Sequence, residues 1–144
     1  MATTEPWELH PYEGAGPLHF GMSRDQVIDL LGQPRRVLDR EPMLVESYRE
    51  VQPIYAPNGR LVAAQTTGAA LAWRGITLTE RPVSEVERDL TAAGVTYESD
   101  EDGPAVPSLG IELYAPDEGY WPGQVQGVLV KSHEYEAADA ADQA

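Results

Sequence analysis

The sequence predicts an α+β fold in which two tandem helix-plus-antiparallel-strand units form one sheet with both helices on one face. Three observations predict it. Tyr55-Ala56-Pro57 returns as Tyr114-Ala115-Pro116, and the same offset of 59 residues superimposes Gly16 on Gly75, Val27 on Val86 and Leu31 on Leu90. Two helical patterns, one after Ser23 and one after Pro82, are each followed by short β-branched and aromatic stretches. Finally, 144 residues of which 42% are hydrophobic suffice for one core that the two halves complete together. The expected limits are an N-terminal arm over 1–13, a single domain over 14–132 made of units 14–68 and 69–132, and a disordered acidic tail over 133–144.

The first unit opens on an extended entry from Gly14 to Gly21, where glycine and proline are too frequent for a helix. A helix then starts at Ser23. Ser23-Arg24-Asp25-Gln26 reads as a capping box, Met22 and Val27 can form a hydrophobic staple, and Gly32 with Pro34 stops the helix. Val27, Ile28, Leu30 and Leu31 supply its apolar side. Strands follow near 35–40, 44–51, 52–56 and 60–66, the last two joined through Pro57-Asn58-Gly59, in which glycine can take the left-handed conformation of a three-residue loop.

The second unit enters through Ala70–Leu78, and Pro82 stands where a first helical turn tolerates it. Val83, Val86 and Leu90 fall on one helical side before Gly94. Strands are expected near 95–99, 108–115 and 125–131; Leu109, Ile111 and Leu113 alternate with Gly110, Glu112 and Tyr114, as in a half-buried strand.

Composition narrows the function. There is no cysteine, which excludes disulfides, thiolate metal sites and cysteine nucleophiles. With no apolar run near the roughly 18 residues of a membrane span and no leader-like start, a soluble cytoplasmic protein is expected. The net charge of −14 is uneven: residues 1–79 carry 9 acids against 7 bases, and residues 80–144 carry 15 against 3. Such a field repels nucleic acid and anionic membranes and steers a basic partner toward the second half.

The segment Gly16-Pro17-Leu18-His19-Phe20-Gly21-Met22-Ser23 through Val27, Leu31, Gly32 and Pro34 resembles the G-M-T/S-x-x-x-V-x-x-x-L-G-x-P stretch of β-lactamase-inhibitor-protein-like and SmpA/OmlA-like proteins, and of bacterial proteins presumed to be toxin-immunity proteins. The resemblance implies the two-unit fold and binding of other proteins through the sheet, without catalysis. Those families use cysteines and export, which this sequence does not display.

Catalytic patterns are weak. His10, His19 and His133 accompany no Gly-x-Ser-x-Gly elbow. Glu98-Ser99-Asp100-Glu101-Asp102-Gly103 imitates half of a calcium loop, but Leu109 stands where a bidentate glutamate is required. No nucleotide fingerprint follows Gly14-x-Gly16. The expectation is therefore a non-enzymatic protein-binding module without cofactor or metal, of immunity or inhibitor type, for a basic partner such as a toxin. Asp100, Glu101, Asp102, Asp117 and Glu118 would steer that partner, and Tyr120 and Trp121, in a loop that interrupts the second unit, would supply apolar contact. The alternatives are a small-ligand carrier and a small carboxylate-dependent enzyme.

Overall fold

The computed structural model describes residues 6–40, 43–66, 70–100, 102–116 and 122–137, the side chains of Arg40 and Asp100 excepted. The first half runs β1 (Trp7–His10), β2 (Gly14–Ala15), β3 (Leu18–His19), α1 (Arg24–Leu31), β4 (Arg36–Arg40), β5 (Met43–Ser47), β6 (Val51–Tyr55) and β7 (Leu61–Thr66). The second runs β8 (Leu71–Trp73), β9 (Ile76–Thr77), α2 (Val83–Ala92), β10 (Glu98–Asp100), β11 (Gly103–Val106), a 3-10 turn over Pro107–Leu109, β12 (Ile111–Tyr114) and β13 (Gly127–Lys131). Residues 133–137, expected as the start of a disordered tail, form a helical turn, α3.

The strands make two sheets: eight in the order β10-β11-β12-β13-β7-β6-β5-β4, and five in the order β3-β2-β1-β8-β9. The fold is mostly β, which corrects the expected α+β arrangement of two helix-plus-strand units on one sheet. What the sequence pattern missed is the smaller sheet. It is built from the segments expected to be an arm and two entries, and β2, β3 and β9 are two residues each, too short to display alternation. β1 pairs antiparallel with β2 and parallel with β8, so a strand of the first half is held by the second and the halves interlock instead of following one another as tandem units. β11, which was not anticipated, is paired on both sides, and its Pro104 stands near the strand start, before the pairing with β12 begins at Ala105.

One face of the large sheet carries the main core. α1 covers Val51, Tyr55, Leu61 and Ala64, while α2 and the small sheet cover Val106, Ile111, Leu113, Val128 and Val130. Trp7 and Phe20 pack against both groups and make them continuous. On the other face Ile54 and Ala63 meet Val45, Leu129 and Tyr135 of α3. The C-terminal turn is fastened from the far end of the chain: the Tyr12 ring stacks on His133 with centroids 3.9 Å apart, and the Tyr12 hydroxyl donates to the Pro107 carbonyl.

Both helices enter beside an isolated bridge, Ser23 to Arg60 just before β7 and Pro82 to Gln124 ahead of β13. α1 has the capping box expected: the Gln26 amide donates to Ser23 Oγ at 3.2 Å and the Ser23 amide to Gln26 Oε1 at 2.8 Å. α2 has no side-chain cap; its first amide, on Val83, donates 2.8 Å to the distant Gly123 carbonyl.

Candidate functional site

On the side of the large sheet away from α1 and α2, a groove of about 500 Å³ runs over β7, β13 and β12. Its floor is Gly127, where a Cβ would come within 2.7 Å of the Thr66 carbonyl and 2.9 Å of Gln65 Nε2. The Thr66 carbonyl and Gln65 already hold that space, so a larger residue would push β7 and β13 apart. Antiparallel pairing puts Tyr114 opposite Gly127 and Glu112 opposite Leu129, so these side chains rise from one face. Gln65, Gln126 and Asp102 complete the walls.

The chemistry is polar and acidic above an apolar strip. Tyr114 is 46% exposed, one of the large hydrophobic residues that folding leaves in water. Lys131 Nζ lies 2.8 Å from Glu112 Oε2 on the exposed rim, a pair of small worth in water. Among the described residues no group of three or more His, Asp or Glu is placed to hold a metal ion.

Of the residues expected to bind a partner, the structure places Asp102 at this groove, exposed, where its carbonyl accepts the Ala115 amide at 2.7 Å. Asp100 ends β10 next to it, with its backbone alone described. Glu101, Asp117, Glu118, Tyr120 and Trp121 lie outside the described residues. Tyr114, Gln65 and Gln126 were not anticipated as a site. The only signal for Tyr114 was its polar-side position in the alternation Leu113-Tyr114, which marks it as outward-facing.

A second polar cluster lies on the helix side. Glu46 is fully buried on β5, and Arg24, the first residue of α1, reaches its Oε2 through Nε at 2.6 Å. Glu46 Oε1 and the Tyr55 hydroxyl are both buried and have no hydrogen-bond partner among the described residues. Burial, and then the neighbouring Glu46 carboxylate, push the Tyr55 pKa well above the ordinary phenol value. The hydrogen bond to Glu46 raises the pKa of Arg24, so the guanidinium stays charged. Nothing in Met43-Leu44-Val45-Glu46-Ser47 marks Glu46 as buried; alternation puts it on the core side with Leu44, and only the contact with Arg24 makes that tolerable.

No family model and no curated protein sequence matches the chain. Solved structures do. An extracellular protein containing an SCP domain from Bacillus anthracis superposes with a TM-score of 0.54 at 15% identity, over 81% of this chain and 45% of its own. A cysteine-rich secretory protein from Staphylococcus aureus superposes with a TM-score of 0.57 at 18% identity, over 92% of this chain and 52% of its own. The chain thus spans about half the length of each. These neighbours, described as an extracellular and a secretory protein, point away from the expected cytoplasmic location, and their fold is not the expected tandem repeat. At this identity the likeness is one of fold, and it is to SCP-containing and cysteine-rich secretory proteins instead of the β-lactamase-inhibitor-like and SmpA/OmlA-like families.

Proposed function

We propose that the chain is a non-catalytic recognition domain that takes an extended segment of a basic protein partner into the groove over β7, β13 and β12. The observation that carries this reading is the groove's construction: a glycine floor at Gly127 between acidic and amide walls, on the face that α1 and α2 leave uncovered. The half-buried Leu129 gives an extended partner segment an apolar strip to lie on, beside the exposed Glu112 and Tyr114 of β12. Asp102 and Glu112 favour a cationic side chain, and the Tyr114 ring gives such a cation an aromatic face. The chain's net charge of −14 speeds the encounter. Glu112 keeps its half-exposed side open to a partner's cation beside Lys131.

The test is titration with a synthetic peptide of alternating lysine and valine, followed by amide chemical shifts. Movement centred on Gly127 and Tyr114, weakening with salt and on Tyr114→Ala, is the expected result. A groove whose amides do not move, at low salt and with peptide in excess, rules the reading out.

A further inference from the structure

We infer that the free edge of β4 is a second docking site, which accepts an extended acidic segment of a partner protein by strand addition. β4 is the terminal strand of the large sheet, paired with β5 on one side from Arg36 to Arg40 and with no strand among the described residues on the other. Every second residue of β4 turns its backbone donor and acceptor to the open side, a template for another strand. Val37, 51% exposed on β4, adds apolar contact. Val37 pairs with Glu46, the residue that Arg24 of α1 holds, so it lies on the helix-bearing face.

The sign of the partner follows from charge. Residues 35–40, β4 and the residue before it, contain Arg35, Arg36 and Arg40 against Asp39, a net +2 within a chain of net −14. Glu46 on the neighbouring β5 is buried and already paired, so it does not offset them. Arg35 and Arg36 are exposed and make no ion pair among the described residues. A second copy of this chain is a poor occupant, because antiparallel self-pairing centred on Leu38 would set Arg36 against Arg40. Charged residues on an edge guard it against its own kind, and the same charges admit a strand of opposite sign. This site is independent of the groove, which has the opposite charge preference.

The test uses a synthetic heptapeptide of alternating glutamate and valine beside its lysine counterpart. The acidic peptide should shift the backbone amides of residues 36–40, and the double substitution Arg35→Glu, Arg36→Glu should weaken its binding by about tenfold at low salt. Tyr114→Ala, on the other face, should leave acidic-peptide binding unchanged, which separates failure here from failure of the groove. The inference is overturned if the acidic peptide leaves the β4 amides unmoved, if the lysine peptide binds there equally well, if the charge-reversed chain binds undiminished while keeping a native spectrum, or if sedimentation shows a dimer sealed through β4.

Discussion

Tyr55 and Tyr114 begin the same Tyr-Ala-Pro triplet, yet Tyr55 is 1% exposed in the core beneath α1 and Tyr114 is 46% exposed on the opposite side of the sheet. The difference lies in register. On β12, Leu113 points into the core and Tyr114 away from it. On β6, Val51 and Tyr55 share the core face and Ile54 takes the other, while the irregularity in the pairing falls on β7, where Val62 is the extra residue. A displacement of one residue moves every later side chain across a sheet, so identical letters at a fixed offset carry no orientation.

The first way to break that comparison is to truncate each tyrosine. Tyr55→Ala empties a core position and should cost about 3–5 kcal/mol in urea unfolding. Tyr114→Ala should cost no more than about 0.5 kcal/mol and act instead on peptide binding. Equal losses at the two positions would show that the outward tyrosine is a packing residue and not part of a recognition surface.

A smaller effect separates the arginines that serve the two helices. Arg24 compensates a fully buried carboxylate, whereas Arg81 Nη1 and Nη2 meet the half-exposed Asp89 and Glu85 at 2.8 and 3.2 Å. Arg24→Ala leaves Glu46 without its counter-charge and should cost about 2 kcal/mol, less than a wholly buried pair because Arg24 itself is half in water. Adding Glu46→Gln to that variant should restore part of the loss, since the stranded charge is then gone. Arg81→Ala should stay within about 0.5 kcal/mol. Denaturation midpoints of the four chains decide the matter, and an Arg81 effect as large as that of Arg24 would show the two sides to be electrostatically equivalent.

The smallest effect concerns how the helices begin. Ser23→Ala removes a side-chain cap and should cost about 1 kcal/mol. No counterpart exists at Pro82, whose helix is capped by the main chain of Gly123. Hydrogen exchange at the first amides of α1 should speed up in that variant while Val83 keeps its protection; loss of protection at both would mean that the helices are coupled through the sheet.

These contrasts also explain how much was legible. α1 was readable to within a residue because its start and stop are local: a capping box and Gly32. The Pro57-Asn58-Gly59 loop and the alternation of β12 were readable for the same reason. The pairing of β1 with β8, the cap that Gly123 lends to α2 and the burial of Glu46 depend on residues far apart in sequence, and no local pattern records them. The site shows the same division. Acidic Asp102 could be singled out from composition, but the glycine floor and the approach of Gln65 to Gly127 exist only once β7 and β13 are paired.

The stack of Tyr12 on His133 brings the beginning and end of the described chain to one point, with Gly110 close enough that a Cβ there would lie 3.0 Å from the ring. Mechanically the molecule is a closed clasp. A pull from the C-terminal side loads that aromatic contact and the packing of Tyr135 before it reaches β13, so α3 would peel off while the eight-stranded sheet still held, whereas a pull from the N-terminal side meets β1 of the five-stranded sheet first.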